Sequence, residues 1–278
     1  MKYFIILLCF VSIISCADDK NCISVKKNFS DYKNEEVYDL DFYITDCKGK
    51  SKKVDAFGYF GYFGYFGYFG YFGYFGYFGY FGYFGYFGYF GYFGYFGYFG
   101  YFGDVPKINF YFFENIGSIN RLFVSTYVYT NIYEENPKYI YQNGKYNFIY
   151  VYDCNGLNCK KNEKISNFFG NGGNLVNVNG YKIVSNYPYD SIVKIKEEVN
   201  SNLFKKWLAN QLKKGHILNK TNIYQENGVN SKKLGYLIQG DEFFIKDISL
   251  RWFNIIYKRK NGEKIEGWID CRDTDLCL

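Results

Sequence analysis

The residues best able to carry chemistry in this chain of 278 residues are its eight cysteines and its single histidine, His216. A structural zinc site needs four Cys or His ligands, and the sequence contains no Cys-x-x-Cys pair. A cysteine peptidase needs a free thiol beside a histidine, and a zinc amidase needs several histidines. A glycosidase needs two carboxylates, but nothing separates Glu114, Glu134 and Glu135 from solvated surface acids. The sequence therefore predicts a protein that is not an enzyme, with no metal site and no cofactor.

The N-terminus accounts for two of the cysteines. Lys2 precedes an apolar run over 4–14, which is too short to span a bilayer but is typical of a secretion signal. The run ends in Ile-Ile-Ser-Cys, which resembles the lipobox of bacterial lipoproteins. The resemblance implies a signal peptide over 1–15, an acyl anchor on Cys16 and a lipid-anchored protein of the cell envelope. By the same analogy, Ala17 implies the outer membrane if the host is Gram-negative. The alternative is an ordinary signal that is cleaved elsewhere.

Six cysteines remain once Cys9 leaves with the signal and Cys16 carries lipid. An even number in an exported chain indicates disulfides, for which six cysteines allow 15 connectivities. Their spacing favours local pairs, because two of the pairs flank only a few residues. The expected pairs are Cys22–Cys47, Cys154–Cys159 and Cys271–Cys277.

The distribution of charged residues predicts that this protein does not bind nucleic acid. Lys and Arg exceed Asp and Glu by 33 − 27, a net charge of +6, and the basic residues are interleaved with acidic ones. Binding to nucleic acid needs a basic face, and no cluster of this kind is visible in the sequence.

A Gly-Tyr-Phe repeat interrupts the chain. It runs without a break over 58–102, which is 45 residues or 15 triplets, and we call the segment 58–103 the tract. A helix is disfavoured, because fifteen glycines cost on the order of 15 kcal/mol relative to alanine. The tract has no charge and no proline, a composition that favours self-association of extended chains. The alternative is a surface loop that has expanded through slippage of a nine-nucleotide DNA unit.

The segments on either side of the tract, 16–57 and 104–189, predict one small antiparallel β domain. The expected strands are rich in Tyr, Phe, Ile and Val and cover 37–45, 108–113, 121–130, 139–141 and 146–152. Asn143-Gly144 indicates a hairpin between the last two, and a further strand pair surrounds Asn179-Gly180 within 175–184. The charged stretch 48–53 is expected to be a turn, and 170–173 a loop.

An amphipathic helix is predicted over 190–215, with Asp190 as its cap and Gly215 at its end. Its apolar residues recur at spacings of three and four, which favours a helix that packs on its neighbours or links two domains. After it, short strands at 234–238, 242–247, 252–258 and 265–270 are separated by Gly240-Asp241 and Asn261-Gly262 turns. About sixty residues of this kind usually close into a small barrel.

This last segment, 217–278, resembles a bacterial SH3 (SH3b-like) domain. The matching residues are Tyr-Leu-Ile-Gln-Gly-Asp-Glu over 236–242, Trp252-Phe253, Tyr257, Asn261-Gly262 and Gly-Trp-Ile over 267–269. The first strand departs from the family pattern, since Ile223-Tyr224 stands where the family often has Leu-Asn-Val-Arg. The resemblance implies a domain that binds peptidoglycan peptides or envelope proteins.

The candidate ligand-binding residues are Tyr224, Trp252 and Trp268. The alternative for each is packing in the core or at its rim, and alternation along β-structure requires one ring of Trp252-Phe253 to face in and the other out. The overall prediction is a mainly β fold, with the tract inside a small antiparallel domain, a linking helix and an SH3-like barrel. Two functions remain open: a lipoprotein whose barrel binds an envelope partner, and a structural, adhesive protein that self-associates through the tract.

Overall fold

The computed structural model describes residues 15–17, 21–28, 39–46, 49–57, 106–130 and 138–277. The signal peptide apart from Ser15, the tract, Cys47, Glu134 and Glu135 lie outside these residues. The described chain is mainly β, as the sequence predicted, with several antiparallel sheets and three α-helices.

The strands fall into four sheets. The first has the order β1 (Ser15–Ala17), β2 (Asn21–Asn28), β3 (Asp39–Thr45), β4 (Ser51–Phe57). The second has the order β10 (Asn171–Gly172), β8 (Lys145–Asn155), β6 (Ile119–Tyr129), β5 (Lys107–Ile116), and β9 (Asn158–Lys161) also pairs with β8. The third has the order β12 (Lys182–Ser185), β11 (Leu175–Asn177), β7 (Tyr139–Tyr141).

The second sheet is the centre of the molecule and is covered on both faces. Leu122 and Val124 on β6 pack against Phe42 and Ile44 of the first sheet. Phe123, between them in sequence, belongs to a separate buried cluster on the opposite face. Because successive residues of a strand point to opposite faces, a strand buried on both sides shows a continuous apolar run. This explains the unbroken apolar run at 122–124 in the middle of β6.

The predicted hairpin at Asn143-Gly144 is wrong. The turn exists, with Asn143 in the left-handed region at φ 56°, but it joins strands of two different sheets. β7 pairs with β11 and not with β8, whereas β8 pairs with β6 over ten residues. The long β6–β8 ladder therefore outcompetes the short local pairing. The strand pair around Asn179-Gly180 is confirmed, since β11 and β12 are antiparallel neighbours.

The single helix expected over 190–215 is two short helices, α2 (Ile192–Asn200) and α3 (Asn202–Leu208). Ser201 separates them with an extended backbone, and its hydroxyl caps α3 by accepting a hydrogen bond from the Phe204 amide. The cap of α2 is Ser191 rather than Asp190. Both helices bury their apolar side in the core, so the expected packing is confirmed. Gly215 lies in a strand and not at a helix end.

Several elements were not expected from the sequence, among them the strands β2, β9 and β13 (Lys214–His216). The stretch 170–173, expected to be a loop, contains the short strand β10. The helix α1 (Glu163–Phe169) begins after Asn162, whose side chain accepts a hydrogen bond from the Ile165 amide, and ends at Gly170. The charged stretch after Gly49 is the first half of β4 rather than a turn. Its lysines are exposed while Phe57 at its end is buried, which is typical of an outer strand.

The fourth sheet forms the C-terminal module, and its strands match the predicted ones to within two residues. Its order is β13 (Lys214–His216), β16 (Glu242–Ser249), β17 (Trp252–Lys258), β18 (Lys264–Asp270), β14 (Thr221–Tyr224), β15 (Lys233–Leu237). Strand β13 precedes the expected start at 217. The sheet is open, so the closed ladder of a barrel is not formed. A single bridge, Ile217 to Thr274, joins the start of the module to the segment after β18.

Two of the three expected disulfides are present. Cys154–Cys159 closes the β8–β9 turn, and Cys271–Cys277 closes the C-terminus after β18. The third expected pair is Cys22–Cys47, and Cys47 lies outside the described residues. In the backbone register, Cys22 pairs with Thr45 on one side and with Cys16 on the other.

The module is joined to the rest of the chain through the β16–β17 turn. Its central residues, Leu250 and Arg251, both have left-handed backbones, at φ 53° and 59°. The Leu250 amide donates to the Phe168 carbonyl at 3.1 Å, and its side chain lies over Gly170. One buried cluster runs from the second sheet through the helices into the module. The three parts therefore share one core.

Candidate functional site

The inner face of the module is apolar and fully covered. Phe253, Ile255 and Ile269 are 0% exposed and belong to the shared core. Their neighbours on β17 and β18 point to the opposite face, where the ladder pairs Trp252 with Asp270 and Asn254 with Trp268. Directly opposite residues of an antiparallel pair lie on the same face. As expected from alternation, the side chains of Phe253 and Trp252 point to opposite faces of the sheet.

The structure brings the three predicted ligand residues together on this outer face. Tyr224 on β14 is the ladder partner of Trp268 on β18. The rings of Tyr224 and Trp252 contact edge to face, with centroids 5.6 Å apart and an interplanar angle of 80°. We call Tyr224, Trp252, Asn254 and Trp268 the aromatic face. None of these residues belongs to the buried core clusters.

The members of the aromatic face differ in their accessibility. Tyr224 is 8% exposed and Trp252 is 7% exposed, so these two rings mainly pack on each other and on their surroundings. Trp268 is half-buried and therefore presents part of its ring to solvent. Trp268 is the member that a ligand could reach without rearrangement.

Asn254 is the residue of this face that the sequence did not single out. Its Oδ1 is buried and has no hydrogen-bond partner among the described residues. A buried acceptor without a donor costs about 1–3 kcal/mol. The signal that could have found it is its place two residues after Trp252, which puts it on the same side of the strand. Rings and an amide at this position can hold a ligand.

The Gly240-Asp241 turn is fixed by the Asp241 carboxylate. Its Oδ2 accepts from the Ile238 amide at 2.9 Å, and its Oδ1 accepts from the Tyr257 hydroxyl at 3.1 Å. Desolvation, followed by the hydrogen bond to Asp241, raises the pKa of Tyr257. The aspartate of this turn therefore has a structural role that joins β15, β16 and β17.

His216 lies between two carboxylates at the open end of the module. Its Nδ1 is 3.2 Å from Asp275 Oδ2, and its Nε2 is 3.5 Å from Glu242 Oε2. Lys214 Nζ approaches the same Glu242 oxygen at 2.7 Å, and this hydrogen bond lowers the pKa of Glu242. In the described ranges, no group of three or more His, Cys, Asp or Glu could hold a metal ion. The arrangement is that of a surface ion-pair network.

Of the carboxylates considered for glycosidase chemistry, only Glu114 is described. It forms an ion pair with Lys196 at 3.0 Å, which joins β5 to α2. This contact gives Glu114 a structural explanation.

A second aromatic surface lies on the β5–β6–β8 sheet and was not expected. Lys145 Nζ is 4.1 Å from the centroid of the Tyr127 ring, and Lys107 Nζ is 4.7 Å from that of Tyr129. The two tyrosine rings contact each other at 5.5 Å. Desolvation lowers the pKa of Lys145, and Asp190 acts in the opposite direction. The two lysines and the two tyrosine rings already interact with one another. We therefore consider this surface a weaker candidate for ligand binding than the aromatic face.

Across the described part of the chain, no helix has the length and apolar character needed to cross a bilayer. In comparisons with known proteins, the chain matches no family model, no curated protein and no solved structure.

Proposed function

We propose that this chain is a non-enzymatic lipoprotein of the cell envelope whose C-terminal module binds an envelope partner, either a peptidoglycan peptide or a protein. The observation that carries the proposal is the aromatic face, where Tyr224, Trp252 and Trp268 share one side of the sheet with Asn254, whose buried Oδ1 lacks a partner among the described residues. A partly exposed aromatic ring such as that of Trp268, beside a polar group, is typical of surfaces that bind other molecules.

The resemblance to the SH3b-like family supports the same function. The residues that carry it occupy defined places in the module: Gly240-Asp241 is a turn, Trp252-Phe253 begins β17 and Gly267-Trp268-Ile269 lies within β18. A family that binds envelope partners suits a chain whose N-terminus resembles a lipoprotein signal.

Binding can be tested by co-sedimentation of the whole chain with purified insoluble peptidoglycan and, in parallel, by capture from envelope extracts. We expect Trp268→Ala to weaken binding about ten-fold or more, because aromatic anchors dominate binding energies. Trp268→Phe should retain part of the affinity. Tyr181→Ala, at a residue that is 78% exposed in the β11–β12 turn, is the control and should bind like the parent. Equal binding by Trp268→Ala and the parent would refute the role of this face.

The anchor is tested separately. Cys16→Ser should abolish labelling with a radioactive fatty acid and move the protein from the membrane fraction to the soluble fraction. Acyl labelling that persists in this variant would remove the lipoprotein from the proposal. A disulfide from Cys16 to Cys22, found by non-reducing peptide mapping, would do the same, and the backbone register makes this outcome worth checking.

The alternative function is that of a structural, adhesive protein that self-associates through the tract. One observation favours it: in the sequence the tract follows β4 and precedes β5, and each of these is the end strand of its sheet among the described residues. A segment with no charge and two aromatic residues in three, tethered at two sheet edges, suits association between chains.

A further inference from the structure

The end strand β15 of the C-terminal module carries an exposed apolar row. Tyr236 is 60% exposed and Ile238 is 52% exposed, with Leu234 at 39% two residues earlier. Leu237, between two of them, is fully buried and points to the core. Alternation sets Tyr236 on the side of the strand opposite to Leu237. The register shifts at Leu234, whose side chain approaches Gly267, and Ile238 directly follows the last residue of β15. We call these three residues the β15 row.

The same strand has an open edge. β15 pairs with β14 on one side, and it stands last in the order of its sheet among the described residues. An end strand presents backbone N–H and C=O groups that can pair with another extended chain. Added strands of this kind bind through main-chain hydrogen bonds, and alternate side chains give them their fit. An edge and an apolar row therefore coincide on one strand.

The tract has the chemistry that this edge would accept. It contains no proline, so every residue can donate a ladder hydrogen bond, and it has no charge to desolvate. Taken every second residue, its sequence reads Gly, Phe, Tyr in rotation, so two thirds of the side chains on either side are aromatic in any register. Lys220 Nζ already lies 4.5 Å from the centroid of the Tyr236 ring, and a lysine here can also receive an incoming ring.

We propose that the β15 row and its strand edge bind the Gly-Tyr-Phe tract of a second copy of this chain by strand addition. This rests on the alternative function given above and assigns to it a receptor surface. In every register, two of every three tract positions along the β15 edge are aromatic. Each chain therefore carries the β15 edge and, along its tract, many overlapping segments to which the β15 edges of other chains can bind.

The first test is the self-association of the whole chain, measured by sedimentation velocity over a range of concentrations. A charge on the row should oppose strand addition, as lysines do on the edges of natural sheets. We expect Tyr236→Lys and Ile238→Lys each to weaken association about ten-fold or more. The control is Phe244→Lys, because Phe244 is also 52% exposed but lies on β16, inside the sheet order. It should associate like the parent. Each variant must keep the melting temperature and the near-ultraviolet circular dichroism of the parent.

The second test is independent of any loss of stability. A photo-reactive phenylalanine replaces Tyr236 in the whole chain, and the variant is mixed with isotope-labelled parent before irradiation. The expected product joins position 236 to a peptide of the tract in the labelled chain. A cross-link to the tract of the same chain, or to any other segment, would overturn the proposal. The same group placed at Phe244 should give no tract adduct.

The outcomes separate this inference from the functions on which it rests. If the parent chain does not self-associate, the adhesive function and the β15 proposal both fail, and envelope binding through Trp268 is untouched. If the parent associates but Tyr236→Lys and Ile238→Lys associate equally well, only the β15 proposal fails. In that case the tract binds some other surface.

Discussion

An ion pair between Glu198 and Arg251 lies at the junction between the helices and the module, and Arg251→Ala tests its contribution. Glu198 on α2 has a side chain that is 4% exposed, and its Oε2 lies 3.6 Å from Arg251 Nη1. The Ser201 hydroxyl donates to Glu198 Oε1 at 3.2 Å, and burial, followed by the nearby Glu198 carboxylate, raises the pKa of Tyr189. Removal of Arg251 would leave a buried carboxylate without a cation.

The size of the effect follows from burial. Removing one partner of a fully buried pair costs about 3–5 kcal/mol. The side chain of Arg251 is 39% exposed and its distance to Glu198 is long, so water can replace part of the interaction. We therefore expect a loss of about 2 kcal/mol, which for a chain of this size lowers Tm by about 4–8 °C.

A matched control is available in the same module. Arg259 pairs with Glu263 at 2.7 Å, and both side chains are about half exposed. Exposed pairs of this type contribute little to stability, so Arg259→Ala should leave the urea midpoint almost unchanged. Glu198→Gln introduced together with Arg251→Ala should recover much of the lost stability, because no buried charge remains. Equal midpoints for Arg251→Ala and Arg259→Ala would refute the reasoning.

Two further predictions concern pH and the disulfides. Burial raises the pKa of Tyr187, and burial together with Asp55 raises that of Tyr152, so both hydroxyls stay protonated in the folded chain after unfolded tyrosines begin to ionise near pH ~10. The unfolded state then binds fewer protons, and stability should fall above this pH by about 1.4 kcal/mol per pH unit for each such tyrosine, whereas a flat profile in urea unfolding would contradict it. Replacing Cys271 and Cys277 by serine should cost about 2 kcal/mol, because the bridge closes a loop with a sequence separation of 6, and an unchanged urea midpoint would count against this.

The sequence was most informative where glycines mark the turns. The strands of the C-terminal module could be predicted closely because Gly240 and Gly262 have left-handed backbones, which few other residues adopt without strain. The same argument failed at Asn143-Gly144, where the turn is real but the partner strand is different. A local turn signal gives the place where a chain reverses, whereas the choice of partner depends on the longer ladder available to β8.

The candidate site could be predicted in its residue types but not in its accessibility. Alternation along β17 places the side chains of Trp252 and Phe253 on different faces of the sheet, and the structure confirms this arrangement. The burial of Tyr224 and Trp252 results from their contact across strands that are far apart in sequence. The β16–β17 turn could not be anticipated at all, because Leu250 and Arg251 adopt left-handed backbones that only their tertiary contacts stabilise.

The single core that runs from the second sheet into the C-terminal module limits how this chain can be divided. Cutting it before β13 would expose the side of Phe243 and Leu250 that packs toward the other layers and would leave Glu198 without its arginine. The module is therefore unsuited to transfer between proteins as a self-contained cassette. We expect the described layers to melt in one cooperative calorimetric transition rather than in two. A destabilising substitution on the helices would then lower the fraction of chains in which the module is folded. It would thereby weaken any ligand binding without contacting the ligand itself.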